Sequence, residues 1–126
     1  MSNKLTMLVV DDSNIIRSKI KRSVPEDIVE VVATARNGRQ AVSLFEYHQP
    51  DLVTMDITMP EMDGIECIEL ISKMNKSSLI LIISALSDKA TAIEALRKGA
   101  HGFLCKPFSD DSLSSALKEL IRGAQQ

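Results

Sequence analysis

Short apolar runs alternate along the chain with stretches of helical spacing. Residues 5–10 (Leu5-Thr6-Met7-Leu8-Val9-Val10) read as a buried strand, and the cluster Asp11-Asp12-Ser13-Asn14 supplies helix-capping side chains directly after it. Ile15, Ile16, Lys19 and Ile20 then keep a helical spacing until Val24-Pro25, where proline ends it. Residues 28–35 are rich in β-branched side chains and predict a second strand. Asn37-Gly38 opens a helix with the stripe Ala41, Val42, Leu44 and Phe45, closed by Gln49-Pro50. Leu52-Val53-Thr54-Met55 is a third strand ending at Asp56. Past the loop Met59-Pro60…Asp63-Gly64, a third helix is marked by Ile65, Ile68 and Ile71. Residues 79–83 form the most apolar strand, ending at Ser84. A helix over 90–98 follows, with Gly99 as its stop and a face of Lys89, Ala92, Ile93 and Leu96 that reads as mostly core-facing, with Ile93 or Lys89 available to a partner. Residues 101–105 make a fifth strand that stops at Lys106-Pro107. Ser109-Asp110-Asp111 caps a last helix carrying Leu113, Leu117, Leu120 and Ile121.

Five strand-then-helix repeats predict an α/β fold: a doubly wound five-stranded parallel sheet with five helices. Continuous apolar strands fit burial on both faces. Right-handed crossovers place every strand's carboxyl end along one edge, where open α/β sheets carry their chemistry. That edge receives Asp11 and Asp12 from the first strand, Asp56 from the third, Ser84 from the fourth and Lys106 from the fifth. Carboxylates gathered in a partly desolvated pocket repel one another unless a cation intervenes. A hard divalent ion such as Mg2+ takes one or two carboxylates, keeps waters and bridges to phosphate, and Mn2+ is the alternative ion. Lys106 adds a fixed positive charge and Ser84 a hydroxyl. These parts suit phosphoryl transfer, in which positioning and charge neutralisation do most of the catalysis, and an aspartate carboxylate is a competent nucleophile. Asp56, on the central strand, is the best placed.

Composition narrows the picture. A chain of 126 residues is the size of one domain, residues 1–126, leaving no room for a second output module. The net charge of −2 gives no broad electrostatic footprint for nucleic acid or an anionic membrane. Taking the three aspartates from 17 acidic residues and Lys106 from 15 basic ones leaves 14 of each, so the whole excess sits at the strand ends. The longest strongly apolar run, 79–83, is far short of the roughly 20 residues that span a bilayer. Cys67 and Cys105 match no metal or redox spacing, so reduced thiols in a cytoplasmic protein are expected. His48 and His101 have no partner at ligand spacing, and Met59 and Met62 read as loop packing.

The segments Val9-Val10-Asp11-Asp12-Ser13, Met55-Asp56-Ile57-Thr58-Met59-Pro60-Glu61-Met62-Asp63-Gly64, Ile83-Ser84-Ala85 and Lys106-Pro107-Phe108 resemble the receiver domain of two-component response regulators. The likeness is to the single-domain, chemotaxis-type (CheY-like) members and covers residues 5–122. It implies a flavodoxin-like strand order of 2-1-3-4-5, the order known for chemotaxis receivers. By resemblance, Asp56 is the phosphoacceptor for a histidine kinase (CheA-like). Asp11, Asp12, Asp56 and the backbone carbonyl of Thr58 hold the metal. Ser84 is the switch hydroxyl, Lys106 pairs with the phosphoryl group, and the Lys106–Pro107 bond is cis. Phe103 takes the aromatic switch position, a tyrosine in many chemotaxis members. The output face is the fourth helix, fifth strand and fifth helix, which would dock a partner such as a flagellar motor switch protein, with the chain monomeric.

Thr58 and Leu86 occupy the positions that tune phosphoryl lifetime in the family. Members served by a dedicated phosphatase often carry polar or acidic groups there, so a lifetime set by water attack is expected. A phosphorelay shuttle and a receiver cut from a longer regulator are the alternative outputs. Two other classes fit less well. Aspartyl-phosphate phosphatases place a second aspartate two residues after the nucleophile, where this chain has Thr58, so a turnover enzyme is not expected. A flavin carrier needs a phosphate loop after the first strand. Here Asp11-Asp12 would repel the phosphate, and one tyrosine with no tryptophan is little to stack on a flavin.

Overall fold

The structure is a computed structural model and describes residues 4–57, 59, 64–85 and 89–124. The elements run β1 (Leu5–Val10), α1 (Asn14–Ser23), β2 (Val29–Ala35), α2 (Gly38–His48), β3 (Leu52–Met55), α3 (Gly64–Met74), β4 (Leu79–Ala85), α4 (Lys89–Lys98), β5 (Gly102–Lys106) and α5 (Asp110–Ala124). The sheet is parallel throughout, in the order β2-β1-β3-β4-β5, the flavodoxin-like arrangement.

Parallel strands need both faces covered, and each face carries its own core. Leu8, Val10, Val53, Met55, Ile80 and Ile82 pack against Phe45, Cys67, Ile68, Ile71, Ala92 and Ala95 of α2, α3 and α4. Met7, Val9, Leu52, Leu81 and Ile83 pack on the opposite side against Ile20 of α1 and Leu113 and Leu117 of α5. The central strands are buried along nearly their whole length, whereas edge strands β2 and β5 keep intermediate exposure.

Helix starts follow local chemistry. Ser13 Oγ accepts from Ile16 N at the head of α1, and Asn37 Oδ1 accepts from Gln40 N at the head of α2. At α5, Ser109 Oγ accepts from Ser112 N while Ser112 Oγ accepts from Ser109 N, a reciprocal cap. Gln49 ends α2 in the left-handed region (φ 45°), and its N–H donates to Phe45 O.

Three details depart from the sequence pattern. The β1–β2 ladder shifts register between Met7 and Leu8, so Val31 faces Met7 and Ala33 faces Leu8. Helix α5 continues through Gly123 and Ala124, past the last of its apolar stripe. Helix α4 buries Ala92 of the expected face together with Ala95, and leaves not only Ile93 but also Leu96 outside, 48% and 41% exposed. Two alanines let the helix lie close to the sheet, which turns its larger side chains outward.

Candidate functional site: an acidic pocket at the carboxyl edge of the sheet

Two hydrogen bonds carry the ladder one residue past the formal strand ends. Asp11 N donates to Ala35 O and Asp56 N to Val10 O, both at 3.0 Å. The backbone at both aspartates is thereby fixed by the sheet. Beyond β3, Asp56 and Ile57 lie against the start of α3. Gly64 N donates to Ile57 O at 3.3 Å, and a Cβ at Gly64 would lie 2.4 Å from Ile57 Cα and 2.5 Å from Asp56 O. Only a residue without a side chain allows that approach.

Asp11 and Asp56 are buried, at 1% and 3% exposure, and Asp12 is exposed. One carboxylate oxygen from each lies within 4.8 Å of the others. Oxygens on opposite sides of an octahedral Mg2+ sit about 4.2 Å apart, so this cluster fits one hard cation after a small movement, with the exposed Asp12 side left to water.

Lys106 closes the pocket from β5. Its Nζ is 2.8 Å from Asp11 Oδ2 and 3.5 Å from Asp56 Oδ2. Burial alone would push its ammonium group down, but the hydrogen bond and charge of Asp11, with Asp56 behind it, outweigh burial and hold Lys106 above its ordinary value. Asp11 is held at three of its oxygens. Its Oδ1 accepts from Ser13 N at 2.9 Å, its Oδ2 from Lys106, and its backbone carbonyl from Arg17 Nη1 at 2.7 Å.

Ser84 is 1% exposed near the end of β4 and pairs in register with Cys105, one residue before Lys106. Phe103 is half-buried on β5 and packs against the core under α4. The Lys106–Pro107 peptide bond is cis. Asp11, Asp12, Asp56 and Lys106 are thus brought together by measured distance, and Ser84 by its place on the neighbouring strand. Thr58 and Leu86 lie outside the described residues, as does Met62.

The two histidines stay apart from the pocket. His48 meets Tyr47 edge-on, with ring centroids 4.8 Å apart. His101 Nδ1 accepts from Ile80 N at 3.0 Å at the other end of the sheet. Sequence reasoning passed over Gly64, Arg17 and Lys19. Gly64 shows only as the end of a loop motif, Lys19 only as a position in the helical spacing of α1, and Arg17 not at all, until α1 is folded against β1 and α5.

The response regulator receiver domain model matches residues 7–118. The chain belongs to the response regulator receiver family. It is 41% identical over 118 residues to the chemotaxis protein CheY of Listeria monocytogenes, covering 94% of this chain and 99% of that one. Chemotaxis protein CheY of Bacillus subtilis is 42% identical over 115 residues, covering 91% and 96%. Among solved structures, the CheX–CheY–BeF3–Mg complex of Borrelia burgdorferi superposes with a TM-score of 0.86 at 31% identity, covering 93% of this chain and 89% of that one. This receiver is therefore CheY-like, a signalling domain of the two-component type. No helix among its described residues is long and apolar enough to cross a membrane.

Proposed function

We infer that this receiver accepts a phosphoryl group on Asp56 from the phosphohistidine of a CheA-like histidine kinase, in the control of chemotaxis. The observation that carries the reading is the meeting of three carboxylates within 4.8 Å, with Lys106 bonded across them. The full-length match to chemotaxis proteins supports the motility context.

In this reading an Asp56 carboxylate oxygen attacks phosphorus, the phosphorus–nitrogen bond of the donor breaks, and the released imidazole keeps the electron pair and takes a proton. Asp11, Asp12 and Asp56, with the Thr58 carbonyl, would hold Mg2+, which when bound supplies charge neutralisation for the phosphoryl oxygens. Lys106 sits within reach of both Asp11 and Asp56, so it can exchange a carboxylate partner for a phosphoryl oxygen without crossing the pocket. Ser84 supplies the second donor.

The new acyl phosphate binds well only to the arrangement in which Ser84 and Lys106 turn to it. Two charge-assisted hydrogen bonds at about 1.5–3 kcal/mol each approach the roughly 5.5 kcal/mol that swings a population from 1:99 to 99:1. Movement of Ser84 makes room for Phe103, and the α4–β5–α5 face changes shape for a partner such as a motor switch protein. The protein acts as a phosphoacceptor with intrinsic chemistry only.

The test is phosphorylation by acetyl phosphate with Mg2+. Wild type should take up one labelled group per chain, and Asp56→Asn should take up none. A labelled Asp56→Asn protein would overturn the assignment.

A further inference from the structure

Lys106 is the last residue of β5, and the sheet does not hold the loop that follows it towards α5. The β4–β5 register ends with Ala85 opposite Lys106, and Pro107 has no N–H to donate. Lys106 is thus the last residue in register, and the loop backbone beside it helps set where its four-carbon stem starts towards the pocket.

That backbone is gripped from α1. Lys19 Nζ donates to the main-chain carbonyl of Phe108, two residues after Lys106, and lies 4.6 Å from the centroid of the Phe108 ring. Phe108 is buried at 6% exposure, so its ring is a fixed platform. One turn further along α1, Ser23 Oγ lies 2.7 Å from Lys19 O and 2.6 Å from Asp110 Oδ1, which ties the same helix to the start of α5. The other end of α1 is tied to the acidic side of the pocket, through Arg17 on the Asp11 carbonyl and Ser13 N on the Asp11 carboxylate. One helix therefore spans both partners of the Lys106–Asp11 ion pair.

We propose that Lys19 is a positioning residue for Lys106. By holding the Phe108 carbonyl it sets how far the Lys106 ammonium reaches towards Asp11 and Asp56, and so how well Lys106 meets an incoming phosphoryl oxygen. The proposal rests on the reading of Asp56 as phosphoacceptor. A lysine on this face of α1 is otherwise indistinguishable from its exposed basic neighbours Lys21 and Arg22.

The experiment compares wild type, Lys19→Met, Lys19→Arg, Lys106→Met and the Lys19→Met/Lys106→Met double variant, with acetyl phosphate as donor. Methionine keeps the apolar stem and loses the donor, whereas arginine keeps both donor and ring contact. Lys19→Met should lower the maximal phosphorylation rate about tenfold, the size of one charge-assisted hydrogen bond. Lys19→Arg should recover most of it. Mg2+ affinity, titrated without donor, should stay within about twofold, because Lys19 touches none of the carboxylates. In the Lys106→Met background, Lys19→Met should change the rate no further. A wild-type rate in Lys19→Met overturns the proposal, and so does a loss that persists in full without Lys106. The NMR shifts of the Lys106 side chain read its ion pair without any phosphodonor. They should move in Lys19→Met and return in Lys19→Arg; unmoved shifts overturn the proposal. If wild type itself takes no label, the phosphoacceptor reading fails while these shifts still decide the role of Lys19.

Discussion

Thr54 sits at the middle of β3, fully buried, and its hydroxyl has no hydrogen-bond partner among the described residues. Its neighbours across the ladder are the apolar Val9 and Leu81, and burying a hydroxyl among such side chains is costly. Replacing it by the near-isosteric valine removes the unmet polar group and leaves the shape. Thr54→Val should raise stability by about 1 kcal/mol, seen as a higher urea midpoint at unchanged slope. Two residues along, the chain leaves the same strand as Asp56, also buried but set against Lys106. The contrast separates two kinds of buried polar side chain on one strand: the carboxylate has a cation to answer it and the hydroxyl has no such group.

At the scale of elements, the start of α3 is the part most tightly coupled to the pocket. An alanine at Gly64 would press its methyl group into the backbone at Asp56 and Ile57, which flexible side chains cannot relieve. Gly64→Ala should cost about 1–3 kcal/mol of stability, as overpacking does, and slow acetyl-phosphate labelling of Asp56 more than it lowers Mg2+-free folding cooperativity. Thermal melts and labelling rates on the same samples check both. The sequence pattern showed the alternation of strands and helices because each apolar run is local. It showed Asp11, Asp12, Asp56, Ser84 and Lys106 because parallel topology sends every strand end to one edge. Gly64, Arg17 and Lys19 were illegible because their partners are backbone groups: Asp56 O and Ile57 Cα for the glycine, Asp11 O for the arginine, Phe108 O for the lysine. Backbone carbonyls look alike at every position, so no residue type announces them. On α4 the departure from the sequence pattern is that Ala95 is buried and Leu96 is not. Ala92 and Ala95 carry less hydropathy than Ile93 and Leu96, and close helix–sheet approach favours the smaller pair.

For the molecule as a whole, the two ends of the sheet carry different ionisable groups. The carboxyl edge holds the acidic pocket, and the amino edge holds His101. Burial pushes the His101 imidazole below its ordinary value, and its Nδ1 accepts from Ile80 N, a bond that a proton on Nδ1 would abolish. The unfolded chain then binds a proton more readily than the folded one. The stability contributed by neutral His101 is complete above about pH 6.5, and it drains away as the pH falls below that value and through the lowered folded one. Urea midpoints should therefore fall between pH 7.5 and pH 5, and by less in His101→Gln than in wild type. The irregularity in the β1–β2 ladder has its own consequence for how such a chain can change length. Val32 falls between the two halves of the register and has no counterpart on β1. A chain lacking it keeps Val31 opposite Met7 and Ala33 opposite Leu8, and Ala35 still accepts from Asp11 N. Val31 and Val32 are both valine, so loss of either gives the same chain. Val32 is thus a slack link: an insertion or deletion there is absorbed before it reaches the aspartates, and an alignment of longer and shorter kin should open its gap at that residue.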